Sequence, residues 1–452
     1  MEDRSRMMEE MPVSRLIWKL TLPSVAGVMA YNLYNLFDTV FVSRGAGTDA
    51  VGGVAVSFPL FLFLSAISST LGNGAASLIS RALGAGDRER AARTAANTFL
   101  IFYTVAILIT VLGLLFLEPL LYAAGVTDTL LPYARSYMRI ILLGAVTSTG
   151  FSSLIRAEGD SRYAMLIWII PMSVNTVLDV IFVFGMHMGV TGAALGTVLG
   201  QAVSMGMSIW FFFLSGKSTL TFQRQDFRPD WKLAGEILFT GIPAFLQTSG
   251  YSVSIIIVNQ FLKYFGGDTA ISIYGIISRI QTFFLFPVMG LIQGIQPAAG
   301  YNKGAGKTKR TQEILWKEMK IAGFYGVAAW CFLLATAPLI MRIFTKDQEV
   351  MVSGASVLRI TGASLFFGSI QQVQSAWVQA LGKKKTALCL VLLGQLGCFL
   401  PVVSVMGAAG GLNGVWLAFP ASSVLALLIS AAVTVYVQKQ LQKREGSVPF
   451  LP

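Results

Sequence analysis

Two carboxylates stand where carboxylates are costly. Asp38 lies in "YNLYNLFDTVFV" (31–42) and Asp179 in "SVNTVLDVIFVFG" (173–185), both inside stretches otherwise fit for lipid. An aspartate near the centre of a membrane helix costs roughly 2.5–3.5 kcal/mol on insertion scales, so each needs a reason to be there. Asn175 precedes Asp179 by one helical turn and shares its face. Two acids in one apolar pocket cannot both ionise cheaply, and a proton that loads and unloads between them is one chemistry this pattern offers. The same oxygens, with Asn175 and Thr197 added, suit a sodium ion. Acids among tyrosines suit an organic cation, through charge and cation–π attraction. A structural reading stands beside these: the acids locked to Arg139 or Arg279 as buried ion pairs.

The elements that must position these residues are membrane helices. The chain has 452 residues, 54% of them hydrophobic and 12% charged, where a soluble chain carries about 25% charged. Windows of about 20 apolar residues give twelve spans: 16–42, 51–80, 92–120, 131–156, 162–186 and 190–214, then 236–263, 270–300, 312–341, 351–381, 386–406 and 412–438. The N-terminus mixes both charge signs and shows no small-residue cleavage site, so no signal peptide is expected. Of the 34 lysines and arginines, 26 fall beside the termini or the loops that follow even-numbered spans, against four (Arg44, Lys263, Arg342, Lys346) in the opposite loops. This asymmetry puts both termini in the cytoplasm. It also accounts for the net charge of +12 with no nucleic-acid partner.

The longest polar connection, 215–235, separates an expected N-lobe (16–214) from an expected C-lobe (236–438), flanked by an N-terminal segment (1–15) and a tail (439–452). Near an offset of 220 residues "GAGTDA" (45–50) meets "FGGDTA" (265–270), and "SRALGAGDRER" (80–90) meets "GYNKGAGKTKR" (300–310). Lobes of six spans keep corresponding helices in the same direction, so these are parallel repeats. The "GAG" segments read as tight turns with flanking positive charge, because no strand precedes them as a phosphate loop requires.

Counted from the span ends, Asp38, Asp179, Thr197 and Tyr137 all fall in one slab of the outer leaflet. Tyr31, Tyr34, Asn35 and Asp38 form a polar stripe on span 1 that should face a cavity or the bundle interior. With Gln201, Gln247, Arg279, Gln293 and Gln296 these are the candidates for a substrate cavity. The many amides of the second half read equally well as hydrogen bonds between helices. Arg139 repeats as Arg359 whereas the acids do not, Asp38 meeting Val258; Glu236, Glu313 and Glu318 are placed near cytoplasmic ends. Coupling through carboxylates is therefore assigned to the first half. Cys331, Cys389 and Cys398 read as small core residues, and His187 as a residue at the membrane interface.

The segments "LYNLFDTVFVSRGAGTDAVGGVAVSFPL", "LISRALGAGDRERA", "NTVLDVIFVFG", "GVTGAALGTVLGQ", "SIYGIISRIQTF" and "GIQPAAGYNKGAGKTKR" resemble the multidrug and toxic compound extrusion (MATE) transporters over essentially the whole chain, and within them the bacterial DinF- and MepA-like branch. The resemblance implies an all-α polytopic membrane protein, a V-shaped pair of six-helix lobes, and export of bulky, often cationic organic compounds driven by proton or sodium re-entry. It gives Asp38, Asp179 and Asn175 the coupling role, with Thr197 and Tyr137 as further members of that site. Acids of the C-terminal lobe, used in the NorM-type branch, are missing here. The expectation is a monomeric, non-enzymatic antiporter of the bacterial cytoplasmic membrane that needs no cofactor or metal, with sodium at Asp38, Asp179, Asn175 and Thr197 as the alternative to a proton. Export or flipping of an endogenous metabolite or lipid-linked compound is the second transport reading, and a membrane receptor or enzyme the reading from another class.

Overall fold

The computed structural model describes residues 2–445 apart from 47, 149, 150 and 346; some helix positions, including 35–40 and 42–51, are described by backbone alone. The described chain is helical: α1 (Glu2–Glu10), α2 (Val13–Ala46), α3 (Thr48–Gly84), α4 (Arg88–Leu115), α5 (Leu117–Ala123), α6 (Leu131–Leu143), α7 (Ser152–Ala157), α8 (Ser161–Asp179), α9 (Gly189–Ile209), α10 (Trp231–Gly304), α11 (Thr308–Phe344), α12 (Gln348–Ala380), α13 (Lys384–Leu392) and α14 (Phe399–Glu445). Aspartate side chains cap three of the starts. Asp87 accepts from the Arg90 N–H, Asp160 from that of Tyr163 and Asp347 from that of Glu349, each at 2.9 Å; such caps satisfy donors that the first turn leaves open. The two "GAG" segments are tight turns, with Gly86 at φ 76° and Gly306 at φ 71°, backbone that glycine enters without strain.

Among the described residues seven helical stretches are long and apolar enough to cross a bilayer. An eighth candidate is the pair Leu131–Leu143 and Ala145–Ala157, bent by 49°. One of the seven, Lys384–Gln442, has 59 residues, about 88 Å at the helical rise. That length serves two crossings, and Gly411 at φ 57° breaks it.

The chain divides into two compact units, and the division does not fall in the polar connection. Unit 1 holds residues 1–10 and 22–245, and unit 2 holds 11–21 and 246–452. The opening turns of α2 thus belong with the second half of the chain, and the opening turns of α10 with the first. In unit 1, α3 crosses the start of α10 at backbone contact. A Cβ on Gly74 would sit 2.1 Å from the Ile237 carbonyl oxygen, and one on Gly241 2.0 Å from that of Thr70. In unit 2 the counterpart is Gly294, 220 residues after Gly74, whose Cβ would lie 2.8 Å from the Leu20 carbonyl oxygen. Small residues let helix backbones approach in this way. Trp377 is buried in unit 2 and donates its indole N–H to the Thr311 carbonyl at 3.1 Å, tying α12 to α11.

Helix α1 is fastened to unit 1 through Arg4, which pairs with Asp160, donates to the Lys217 carbonyl at 3.0 Å and lies over the Phe211 ring. Met8 is buried beside it, against Gly159. The neighbouring Glu158 is 3% exposed and accepts from the Ser218 hydroxyl and from both the N–H and the hydroxyl of Thr219. Arg4→Ala is expected to loosen α1: trypsin should cut at Arg6 about tenfold faster, since charge-assisted hydrogen bonds of this kind contribute roughly 1.5–3 kcal/mol. Burial raises the Glu158 carboxyl above its ordinary range, opposed by the Thr219 and Ser218 hydrogen bonds and the Arg4 charge. A raised carboxyl stabilises the fold fully below the unfolded carboxylate pKa and loses that contribution as pH rises through its folded pKa. The thermal midpoint of Glu158→Gln should therefore fall less than that of the wild type between pH 4 and pH 8.

Several expectations are corrected. Cys331 and Cys389 are exposed, and of the three cysteines Cys398 alone is buried; an apolar helix keeps apolar residues on its lipid face as readily as inside. Arg139, Arg279 and Arg359 are exposed rather than locked in buried ion pairs, and Arg359 donates to the Leu334 carbonyl at 3.1 Å. Glu318, ten residues after the start of α11, is buried at 3% exposure, which leaves its expected place near a cytoplasmic end untouched. His187, expected at the interface, needs no correction: it is exposed and takes φ 52° at the turn before α9.

Candidate functional site

The site is built on two neighbouring helices of unit 1. Along α8, Pro171, Asn175 and Asp179 are buried at helical spacing. Asp179 is the last α-helical residue, and Val180–Gly185 continues as a wider π-helical turn, a distortion often found at functional positions. Along α9, Gly192, Gly196 and Gly200 stand four residues apart, Gly196 and Gly200 facing α8 and Gly192 facing Phe182 in the segment that follows it. A Cβ on Gly196 would come to 2.3 Å from Asp179 Oδ1 and 3.1 Å from Asn175 Nδ2. One on Gly200 would meet the Pro171 carbonyl oxygen and Asn175 Cβ, both at 3.0 Å. The glycines make room for the polar pair against α9.

Asp179 is 1% exposed and Asn175 2%. The Asn175 amide donates to Asp179 Oδ1 at 3.4 Å, which leaves Asn175 Oδ1 as an acceptor. Among the described residues no donor reaches that oxygen. A buried acceptor in this position fits a hard cation or a group that brings its own proton. Thr197 is 9% exposed and donates to the Ala193 carbonyl of its own helix at 3.0 Å, so its lone pairs remain as acceptors. Tyr137 is buried in the cluster that also holds Val190 and Ala194 of α9. Gln201, one turn of α9 beyond Thr197, accepts from the Thr147 hydroxyl at 3.5 Å.

Asp38 and Asn35 lie on α2, and their side chains fall outside the described residues. Their neighbours do not. Tyr31 stands edge-on to Trp168 at 5.0 Å and lies 6.5 Å from Tyr34, while Phe41 stands edge-on to Phe184 at 5.9 Å. Trp168 donates to the Ser152 hydroxyl at 3.0 Å. Sequence reasoning missed Trp168, although its spacing of 3, 7 and 11 residues before Pro171, Asn175 and Asp179 places it on their face.

In unit 2 the candidate amides divide. Gln296 donates to Gln379 at 3.1 Å, and the Gln247 carbonyl accepts from Gln395 at 2.6 Å; these tie helices together. Gln293 Oε1 is buried, and no donor among the described residues reaches it. Arg279 is exposed.

The MatE family model matches residues 23–181 and again 243–404. The chain belongs to the MatE family. The two matched segments repeat the family's unit once in each half, and the family is one of membrane transporters rather than enzymes. Among relatives of this MatE protein, the multidrug export protein MepA of Staphylococcus haemolyticus is 28% identical over 93% of each chain. MepA of Staphylococcus aureus is 26% identical over 95% of each. Among solved structures, a multidrug resistance MATE family transporter of the MOP superfamily in an outward-facing conformation superposes with a TM-score of 0.91, at 24% identity, over 97% of this chain and 99% of the other. The fold is thus that of a MATE transporter, and the protein is a multi-pass membrane protein.

Proposed function

We propose that this protein is a secondary active multidrug exporter, exchanging bulky organic cations for protons, or sodium, by alternating access. In this reading its twelve spans form two six-helix lobes, 16–214 and 236–438, with both termini in the cytoplasm. The printed function of the MepA relatives supports the substrate class. The observation that carries the coupling site is the buried Asn175–Asp179 pair with its open acceptor, seated on the glycine face of α9. The contacts Tyr31–Trp168, between α2 and α8, and Phe41–Phe184, between α2 and the turn that continues α8, run the same way along both, which supports a reading with Asp38 and Asp179 at one level. A proton or sodium ion arriving from outside neutralises Asp38 and Asp179, with Asn175, Thr197 and Tyr137 around them. Span 1 then repacks near its asparagines and releases the drug outward. An ion drives this step by binding the two conformations with different affinity, and neutralising a buried acid supplies such a difference.

The test is efflux of a fluorescent cation from proteoliposomes under an imposed pH gradient without sodium, then under a sodium gradient at constant pH. Wild type exports under one of them, while Asp38→Asn and Asp179→Asn, folded by size-exclusion chromatography, export under neither. Normal export by both variants would overturn the coupling assignment.

A further inference from the structure

Away from the Asp179 site, unit 1 carries a cavity of about 390 Å³ walled by aromatic rings: Phe99 and Tyr103 of α4, Phe151, Phe212, Phe213 and Phe227. Phe99 stands at its centre, its ring centroid 4.7 Å from that of Phe151 and 5.4 Å from that of Phe212. The wall continues along α4 to Thr104 and Ile107, about 12 Å from Phe99 at the helical rise. Ile107 is 57% exposed and Phe213 49%. On a membrane helix that exposure is to lipid, so the cavity opens to the bilayer.

The polar connection supplies its other end. Phe227 closes the short helix Arg224–Phe227 and faces the cavity, with an arginine at 224 and another at 228. This turn is anchored, not loose. Asn97, 2% exposed and two residues before Phe99, donates to the carbonyls of Asp226 and Arg228 at 3.2 and 3.3 Å and accepts from the Asp230 N–H at 2.9 Å. The two acids of the turn are otherwise engaged: Asp226 accepts from the Gln223 N–H at 2.7 Å, and Asp230 pairs with Arg93 at 3.0 Å. Arg224 and Arg228 are exposed, and among the described residues neither has an acid partner. Nearby, Trp231 is 86% exposed and Lys217 lies 5.1 Å from the Trp210 ring, the mixture of aromatic and basic residues that marks a bilayer surface.

We propose that this cavity is a binding site for an anionic phospholipid, one acyl chain lying among the rings and the phosphate held by Arg224 and Arg228. The volume falls within the range of ligand sites, and its lining offers hydrocarbon little to hydrogen-bond. An organic cation fits the rings but is repelled by the two arginines. A zwitterionic lipid fits the rings and gains little from the charges. An acidic headgroup on a long apolar chain satisfies both ends, and each arginine near the membrane surface strengthens its binding about fivefold.

The experiment is native mass spectrometry of the full chain released from micelles containing equal phosphatidylglycerol and phosphatidylcholine. Wild type should retain phosphatidylglycerol roughly thirtyfold more strongly at low salt, the product of two arginines. Arg224→Gln with Arg228→Gln should lose that preference and keep phosphatidylcholine at the wild-type level. Thr104→Trp, at an exposed lining position, should lose retention of both lipids. Size-exclusion chromatography and thermal unfolding show that each variant is folded. Equal retention of the two lipids by wild type, or an unchanged preference in the double variant, overturns the proposal; so does undiminished phosphatidylglycerol retention by Thr104→Trp.

Discussion

Gly196→Ala is expected to lower coupled export about a hundredfold while the protein still folds. The added methyl would come to 2.3 Å from Asp179 Oδ1 and 3.1 Å from Asn175 Nδ2, and contacts below about 3 Å are not tolerated by packed atoms. Asp179 is 1% exposed and ends the α-helical part of α8, so its carboxylate must swing away or the two helices must part. Either change displaces the polar pair by about an ångström, and misplacing a reacting group by that distance costs on the order of 10²-fold. Gly206→Ala is the control on the same helix, since nothing lies within 4 Å of its added Cβ. Fluorescent-cation efflux from proteoliposomes measures both variants at matched protein content. Wild-type export by Gly196→Ala would remove Asp179 from the coupling site.

Gly241→Ala should do more harm to the fold than to transport. Its methyl would sit 2.0 Å from the Thr70 carbonyl oxygen, a backbone atom that no rotamer change can move. The reciprocal Gly74→Ala meets the Ile237 carbonyl oxygen at 2.1 Å. Overpacking a core with side-chain relief costs about 1–3 kcal/mol, and here the relief is missing, so more than about 3 kcal/mol is expected. The folded fraction recovered in detergent should fall to a small residue. Gly294→Ala should be milder, because the Leu20 carbonyl oxygen is 2.8 Å away. Gly235→Ala, with no atom within 4 Å, should behave as wild type. Thermal unfolding monitored by tryptophan fluorescence ranks the four.

The chemistry of the site was legible where it lies within one helix. Asn175 and Asp179 are one turn apart, so their shared face follows from helical spacing alone, and they do meet at 3.4 Å. What seats them was not legible as chemistry. Gly196 and Gly200 contribute no polar atom, and their role appears only when α8 is laid against α9. The repeated glycine spacing in "GAALGTVLG" (192–200) was the available signal. Thr197, expected at the same depth as Asp179, is buried, and its hydroxyl donates to its own helix. Cys331, Cys389 and Arg139 were misplaced because hydropathy does not distinguish the lipid face of a span from its protein face. The second-half glutamines were open to two readings because tertiary contacts decide between a tie, as at Gln296, and an unoccupied acceptor, as at Gln293. The polar connection reads in sequence as a spacer, yet Asn97 holds it in place from α4 through backbone groups that no composition reveals.

The division of the units at residues 21 and 245 bears on how the protein is made. Pro23 and Pro243 stand beside two of the three points where the chain changes unit. A ribosome that has finished residue 230 has delivered α1 to α9 but not the turns 231–245, the start of the helix that lies across Gly74. Residues 11–21, made early, belong with a unit whose other members come from the distal half of the chain. Neither half of the chain therefore contains the whole of a unit. Expressed from separate messages and cut within 215–230, they should accumulate only when both are present, each supplying the segment that completes the other.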